Sequence, residues 1–247
     1  MPRARRPYRD REAKTPRRAR TGHGPGLVDP ADRERALALT PVSRETLERL
    51  DRFVALLLAW ERATSLIAPS TVSHLWTRHI ADSLQLLELA PEARVWVDLG
   101  TGGGFPGLVI ACALADRPGA HVHLVESNTK KAAFLREAQR LTEASASVHA
   151  ARIEDFAAGF EGKADVVTAR AVAPLKSLLD QCFPLLGKSG AVGLFAKGQN
   201  AELELRQVRE SRTGKAWTMN ATLAPSRTDP AGRIVVIREV ERRRITP

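Results

Sequence analysis

The stretch VWVDLGTGGGFPGLVIACAL, residues 95–114, decides the fold of this 247-residue chain. An apolar, strand-like run is followed by five glycines within eight residues and then by an apolar, helix-like run. Glycines between a first strand and a helix are typical of the ligand-binding turn of a doubly wound α/β sheet. Gly102, Gly104 and Gly107 match the dinucleotide pattern G-x-G-x-x-G, whereas Asp98 makes the motif D-x-G-x-G. The loop alone therefore leaves two classes of ligand open.

The composition indicates a globular protein that works in a reducing compartment. Only two cysteines occur, Cys112 and Cys182, and both lie in apolar helical patterns, which argues against a disulfide framework or a zinc site. The apolar runs are too short to span a membrane, and no signal-peptide pattern is present. We therefore expect a cytoplasmic monomer with no metal site and no membrane association.

The positive charge is concentrated at the N-terminus. Residues 1–20 contain nine Arg or Lys and two acidic residues, which gives +7 of the net charge of +10. This Arg- and Pro-rich composition predicts a disordered basic tail over residues 1–26 that attracts nucleic acid. A solubilising extension is the alternative. A mitochondrial transit peptide is disfavoured, because three prolines and the lack of an apolar face oppose an amphipathic helix.

A helical segment is predicted over residues 27–90. After the N-cap candidate Ser43, apolar residues recur at helical spacing, and a second helical stretch runs from Pro69 to about Leu89. The spaced apolar residues are Leu47, Leu50, Val54, Leu57 and Leu58.

From residue 91 to 247 the pattern alternates between strands and helices. Helical segments follow each of the first five predicted strands, whereas the last two are joined by the turn-rich PSRTDPAG. This order predicts an α/β fold, a mostly parallel seven-stranded Rossmann-like sheet with an antiparallel C-terminal hairpin. The predicted strands are 95–99, 121–126, 147–150, 165–169, 190–197, 217–224 and 233–240.

The glycine loop could bind a dinucleotide through its pyrophosphate or S-adenosylmethionine through its methionine carboxylate. Two acidic residues bear on this choice. Asp98 ends the first strand, where it would repel a pyrophosphate but could accept from the amino group of S-adenosylmethionine or orient the loop. Glu126 ends the second strand and could accept from ribose hydroxyls. Dinucleotides and S-adenosylmethionine both have these hydroxyls, so Glu126 does not discriminate between them. We expect the helix N-terminus to offer free N–H groups to the ligand.

If the cofactor is S-adenosylmethionine, the chain transfers a methyl group, and the fourth strand bears on which atom accepts it. It reads TARAVAPL, residues 168–175, and lacks the Pro-Pro-aromatic motif common in enzymes that methylate exocyclic amines of bases. A C5-pyrimidine mechanism needs a thiolate, and Cys182 is expected in the core. What remains includes a ring nitrogen with its own lone pair, such as guanine N7, which needs alignment but no general base.

The chain resembles the RsmG (GidB) family, which methylates N7 of a guanine in bacterial 16S ribosomal RNA. The resemblance runs from about residue 43 to the C-terminus. It rests on RHIADSL (78–84), VDLGTGGGFPG (97–107), ESNTKKAAFL (126–135), RIEDF (152–156), ARAVAPL (169–175) and AKG (196–198). It implies a Rossmann-like class I methyltransferase fold, S-adenosylmethionine as cofactor, and 16S rRNA, the small ribosomal subunit or an assembly intermediate as substrate.

The resemblance also implies site residues. Arg170 and Lys197 are the candidate catalytic residues. Lys197 is a candidate because it ends the predicted fifth strand, at the edge where open α/β sheets bind ligands, and it is expected either to face RNA or to form a structural ion pair. Adenine is expected near Ile153 and Glu154. The residues expected to bind the cofactor are Asp98, Gly100, Gly102, Gly104, Phe105, Glu126, Ser127, Ile153, Glu154 and Arg170. Of these, the resemblance implies Gly100, Phe105, Ile153, Glu154 and Arg170.

Some features depart from the sequence pattern of the family or suggest a different function. WERATSLIA, residues 60–68, carries Glu61 and Ser65 where the family usually has asparagines. His79, Asp82 and Ser83 share a helical face and superficially suggest a hydrolase triad, but a structural or pocket-wall role is favoured, with a substrate-side role as the alternative. The alternative functions are an NAD(P)-dependent oxidoreductase and a non-catalytic RNA-binding protein.

Overall fold

The computed structural model of the protein describes residues 28–210 and 215–244, so the predicted basic tail lies outside the described residues. Seven strands form one sheet in the order β3-β2-β1-β4-β5-β7-β6. The strands are β1 (Val95–Leu99), β2 (His121–Val125), β3 (Ala146–His149), β4 (Val166–Arg170), β5 (Val192–Lys197), β6 (Lys215–Pro225) and β7 (Arg233–Arg244).

The pairing confirms the predicted sheet. Strands β1 to β5 are parallel, and β7 runs antiparallel to both β5 and β6. The C-terminal hairpin thus inserts its second strand beside β5 and leaves its first strand at the sheet edge. Predicted and observed ends of most strands agree within two residues, but β7 continues to Arg244.

Helices cover both faces of the sheet and form the N-terminal segment. Those that follow the first five strands are α5 (Gly107–Leu114), α6 (Thr129–Thr142), α7 (Ile153–Gly159), α8 (Leu175–Ser189) and α9 (Ala201–Arg209). The N-terminal segment contains α1 (Pro30–Leu39), α2 (Arg44–Glu61), a 3-10 helix (Pro69–His74), a π-helix (Trp76–Ala81), α3 (Asp82–Leu84) and α4 (Leu86–Leu89). None of the helices in the described ranges is both long and apolar enough to cross a membrane.

The N-terminal helices pack onto the sheet domain through one continuous apolar core. Ser43 caps α2 by accepting from the Thr46 amide, as its sequence position predicts. From that helix Phe53 is fully buried, and its ring centroid lies 5.3 Å from that of Phe105 in the glycine loop. Burying a side chain of this size stabilises the fold by about 2–3 kcal/mol. The segment is therefore docked against the loop that the sequence singles out.

The first strand and the helix after it approach each other closely. A Cβ at Gly107 would lie 2.4 Å from Leu124 Cδ2 and 2.6 Å from Asp98 Cβ, so α5 can begin here only with a glycine. The strand order reverses between β1 and β4, and such a switch point opens a crevice beyond the carboxyl ends of the strands. The fold thus places the glycine loop at the edge where α/β proteins bind ligands.

Candidate active site

A cavity of about 750 Å³ opens at this switch point. Its walls come from the glycine loop, the ends of β4 and β5, the N-terminal segment and the β6–β7 turn. Five residues predicted for the site line it, namely Gly100, Gly102, Phe105, Arg170 and Lys197. They are joined by residues that include Leu66, Thr71, Arg78, His79, Asp82, Val172, Glu204, Thr228 and Asp229.

The glycine loop holds its shape through its own amides. Gly100 and Thr101 both donate to the Val125 carbonyl oxygen, at 2.9 and 3.1 Å. The Gly102 amide donates to Glu126 Oε2 at 3.0 Å, and the backbone there has φ of +56°. A Cβ at Gly102 would meet only the Gly100 carbonyl oxygen, 3.8 Å away, so this position faces open space. The loop therefore presents bare backbone to the cavity.

Two amides of the helix N-terminus, which was expected to offer free N–H groups, already have partners. Asp98 Oδ2 accepts from the Gly107 amide at 2.8 Å, and the Leu108 amide is bonded to the Gly104 carbonyl oxygen. The expectation therefore fails for these two amides, because Asp98, near the end of β1, caps α5 from within. A pyrophosphate would find the positive end of the helix already neutralised.

Asp98 supports the loop and is not part of the cavity wall. Its side chain is fully buried, and its Oδ1 accepts from Thr168 Oγ1 at 2.8 Å. Burial raises the pKa of this carboxyl to about 6. Asp98 was predicted either to accept from the amino group of the cofactor or to orient the loop, and the structure shows the second role.

Glu126 also organises the backbone. One carboxylate oxygen accepts from Gly102 and the other from the Asn128 amide, at 2.7 Å. Ser127 is exposed in the turn after β2. Gly104, with φ of +95°, packs toward Phe53 and Leu108. None of these three residues lines the cavity, so direct cofactor contact by them stays a prediction.

The predicted adenine side lies apart from this cavity. Ile153 and Glu154 begin α7, which follows β3 at the same edge of the sheet. Glu154 is exposed and accepts from Gln181 Nε2 at 2.9 Å, and Ile153 packs on the core between α7 and α8. Neither residue lines the cavity, and their contact with adenine stays a prediction.

Arg170 ends β4 with its guanidinium pointing to the N-terminal segment. Nη1 donates to the Arg78 carbonyl oxygen at 3.0 Å, and Nη2 lies 2.9 Å from His79 Nδ1. The guanidinium carbon lies 5.3 Å from the centroid of the Phe105 ring. Burial lowers the pKa of Arg170, with Asp82 acting in the opposite direction. The cavity therefore contains a desolvated cation fixed in one orientation.

The residues of the suggested triad do not converge on a nucleophile. Ser83 Oγ donates to the His79 carbonyl oxygen at 2.6 Å, and His79 turns its ring to Arg170 instead. Asp82 Oδ1 accepts from Thr228 Oγ1 at 2.7 Å and from Gln85 Nε2 at 2.8 Å. His79 and Asp82 are part of the cavity wall, as favoured, and no hydrolase arrangement exists among them.

Lys197 forms the structural ion pair that the sequence left as an alternative. Its Nζ lies 2.9 Å from Glu204 Oε2 and donates to the Ala173 carbonyl oxygen at 2.6 Å. The same Glu204 oxygen accepts from the Leu175 amide at 2.6 Å. Lys197 thus holds the β4–α8 loop in place, and contact of this lysine with RNA stays a prediction.

The unusual Glu61 proves to be structural. Its Oε2 accepts from the Leu66 and Ile67 amides, at 2.8 and 3.1 Å. A Cβ at Gly103 would come within 2.9 Å of the Leu66 carbonyl oxygen, so this turn sits directly on the glycine loop. Glu61 was noted in the sequence only as a departure, and nothing local indicates that it braces a cavity wall.

The sequence matches a known protein family over most of its length. The model of the family GidB, rRNA small subunit methyltransferase G, matches residues 46–225. The chain belongs to the GidB family. A ribosomal RNA small subunit methyltransferase G of Bradyrhizobium sp. (strain BTAi1 / ATCC BAA-1182) is 58% identical over 86% of this chain and 93% of its own. One from Methylobacterium sp. (strain 4-46) is 53% identical over 84% and 95%.

Solved structures support the fold. The O-methyltransferase from Bacillus cereus in complex with SAH has a TM-score of 0.54 at 14% identity, over 85% of this chain and 97% of its own. Cofactor-bound Rv0187 from MTB has a TM-score of 0.53 at 17% identity, over 77% and 89%. Identities this low establish only that this GidB-family chain has a Rossmann-like class I methyltransferase fold.

Membership of GidB decides between the two ligand classes that the glycine loop left open. A GidB-family chain is a methyltransferase, and its cofactor is S-adenosylmethionine. The oxidoreductase and non-catalytic alternatives are wrong, because the family is one of rRNA methyltransferases. Of the glycines in the literal G-x-G-x-x-G match, Gly107 serves the close packing of α5 on β1. The capped helix N-terminus agrees with a cofactor that carries no phosphate.

Proposed function

We propose that the protein transfers a methyl group from S-adenosylmethionine to N7 of a guanine in 16S ribosomal RNA. It acts in the cytoplasm as a monomer, on the rRNA, the small subunit or an assembly intermediate. Family membership supports ribosomal RNA as the substrate, and the chemistry of the cavity supports N7 as the acceptor.

The observation that carries the choice of N7 is the state of His79. It is the one histidine among the described residues that line the cavity, and both its ring nitrogens are engaged. Burial, reinforced by Arg170 and Arg78, lowers its pKa to about 3, so with both ring nitrogens already engaged it is a poor general base near pH 7.

Nucleophilic side chains point the same way. No cysteine or tyrosine lines the cavity within the described part of the chain. Burial raises the pKa of both Cys112 and Cys182 to about 12, which makes them inert core residues. Guanine N7 needs neither a base nor a protein nucleophile, because its lone pair is already available.

The residues present fit the cofactor. Gly100 and Gly102 let a ligand approach the backbone closely, and Arg170 offers a cation for a carboxylate. Ile153 and Glu154 would hold the adenine end. Each carboxylate oxygen of Glu126 accepts one hydrogen bond from an amide and keeps a second lone pair, with which Glu126 would hold the ribose. When bound, S-adenosylmethionine supplies an electrophilic methyl group next to these residues.

The chain's own part in the reaction is to align and to stabilise. Phe105 and Arg170 restrict the space in which the guanine and the methyl donor meet, which lowers the entropic cost of the transfer. Methylation at N7 makes the base positive. Asp82 lies in the cavity wall with its side chain only 19% exposed, so its negative charge is placed to stabilise that developing charge.

Nucleoside analysis of a reaction in vitro tests this proposal. Purified protein is incubated with labelled S-adenosylmethionine and either small subunits or free 16S rRNA that lack the modification. We expect 7-methylguanosine as the labelled nucleoside, with the better substrate identifying the natural form of the RNA. A different labelled nucleoside would refute the N7 assignment, and the absence of transfer to either RNA substrate would refute the proposed substrate.

A further inference from the structure

The hydrogen bonds of Arg170 within the described chain go to the N-terminal segment and not to the domain that carries it. Arg78 supplies a carbonyl oxygen, His79 a ring nitrogen, and Asp82 Oδ2 lies 3.5 Å from Nη1. Arg78 and His79 belong to the π-helix, Trp76–Ala81. Single π-helical turns inside helical segments frequently occur at functional sites.

The π-helix is itself fixed by a buried acid. Asp32 in α1 is 1% exposed, and its Oδ2 accepts from the Trp76 and Thr77 amides at 2.9 and 3.1 Å. Its Oδ1 accepts from Thr77 Oγ1 at 2.5 Å. The first turn of the π-helix therefore has little freedom, and the position of His79 follows from it.

The partners of His79 determine its tautomer. A guanidinium can only donate, so Nδ1, which faces Arg170 Nη2, must carry a lone pair. The proton of the neutral ring is then on Nε2, which lies 2.8 Å from Thr71 Oγ1. That hydroxyl in turn donates to the Ala68 carbonyl oxygen at 2.8 Å, so it is free to accept from Nε2. Donors and acceptors alternate without conflict along this chain of contacts.

The histidine ring also packs on the glycine loop. Its centroid lies 4.8 Å from that of Phe105, over which the Arg170 guanidinium also lies. Three side chains thus hold one another: a cation, a neutral imidazole that accepts from it, and an aromatic ring that contacts both. Arg78, His79 and Asp82 accept from three of the five N–H groups of Arg170, which leaves two for a ligand.

We infer that His79 is a positioning residue for methyl transfer: it keeps the Arg170 guanidinium in the one orientation that serves the cavity. The inference rests on the proposed function, in which Arg170 contacts the cofactor or the guanine. It assigns the N-terminal helical segment a part in the reaction, since the acceptor that orients Arg170 belongs to that segment.

A pair of substitutions tests the acceptor. His79→Phe keeps a flat ring against Phe105 but removes the lone pair, so Arg170 Nη2 loses its acceptor while Nη1 keeps Arg78 and Asp82. His79→Asn can place an amide oxygen where Nδ1 lies. We expect the Phe variant to lose about 10- to 100-fold in kcat/KM, because misplacing a reacting group by about 1 Å costs this much. The Asn variant should recover most of that loss.

Ser83→Ala is the matched control. It removes a buried hydrogen bond to the His79 carbonyl oxygen but leaves the imidazole contacts intact. It should lower the melting temperature without lowering kcat/KM. Equal activity of His79→Phe and the unsubstituted protein, or an Asn variant no better than the Phe variant, would overturn the inference.

A second measurement does not depend on activity. The ¹⁵N shifts of the His79 ring should show an unprotonated Nδ1 and a protonated Nε2 from pH 5 to pH 8. A protonated Nδ1 would overturn the inference directly. If the unsubstituted protein forms no 7-methylguanosine, the proposed function fails, whereas normal methylation by His79→Phe defeats the positioning role alone.

Discussion

Replacing Gly102 with alanine separates the conformation of the glycine loop from its contact with the cofactor. The backbone at Gly102 has φ of +56°, a region that costs an L-residue about 1–2 kcal/mol. The hydrogen bond from its amide to Glu126 is unaffected by a side chain. The added methyl would extend into open space, since only the Gly100 carbonyl oxygen lies within 4 Å, at 3.8 Å.

Stability and affinity should therefore change by different amounts. The backbone strain should lower the melting temperature by about 2–8 °C, as expected for 1–2 kcal/mol in a chain of this size. A methyl group keeps ligand atoms about 3.5–4 Å from its carbon, which prevents the close approach that bare backbone allows. We expect the Kd for S-adenosylmethionine to rise at least about 10-fold, which corresponds to 1.4 kcal/mol.

Gly119→Ala is the control for strain without a site. Gly119 has φ of +75° and lies outside the cavity, and its added Cβ would be 3.6 Å from Arg94 Nη1, an ordinary contact. Both variants should lose similar stability in thermal unfolding, but only Gly102→Ala should lose affinity in calorimetric titration. Unchanged affinity in a folded Gly102→Ala protein would refute the placement of the cofactor. Gly100 is a poorer choice, since a Cβ there would come within 2.7 Å of Val172 Cγ2.

Three further perturbations test separate parts of the account. Arg170→Lys should lower methylation nearly as much as Arg170→Ala, because one ammonium cannot replace a planar guanidinium that donates to Arg78 and His79 together. Unchanged cofactor Kd and unchanged RNA kinetics in these variants would show that Arg170 has no role. Burial raises the pKa of Asp98 from 3.8 to about 6, so the folded protein binds this proton more tightly than the unfolded chain does. The protein therefore loses stability as the pH rises toward 6. Relative to Asp98→Asn, the unsubstituted protein should lose about 2 kcal/mol of unfolding free energy between pH 4 and pH 7, and a pH-independent difference would contradict the burial of this charge. Deleting residues 1–20, which carry +7, should weaken RNA binding without changing the methylated base and should flatten the log–log salt dependence by about 0.7 per lost phosphate contact; an unchanged slope would exclude the tail as an RNA contact.

Much of the fold follows from local sequence patterns. Apolar runs at strand spacing, each followed by a helical pattern, place β1 to β5 in a parallel sheet. The capping side chain of Ser43 begins α2 where the pattern predicts. These features depend on neighbouring residues alone, which is why sequence reveals them.

Other features depend on distant contacts, and no spacing rule predicts them. The π-helix forms where the Asp32 carboxylate meets the Trp76 and Thr77 amides, and those residues are more than 40 positions apart. His79 and Arg170 are 91 residues apart, so their pairing appears only once the segment is docked on the sheet. The glycine motif predicts a ligand turn, but the capping of α5 by Asp98 depends on the packing of β1 beneath it.

Mapping methylated nucleotides in 16S rRNA tests the central claim most directly. rRNA from cells with and without this gene is digested and analysed by mass spectrometry, with the deletion complemented by the unsubstituted protein or by Gly102→Ala. We expect one 7-methylguanosine that disappears on deletion, returns with the unsubstituted protein, and returns less completely with Gly102→Ala. An unchanged 7-methylguanosine content in the deletion strain, or the loss of a different modification, would contradict it.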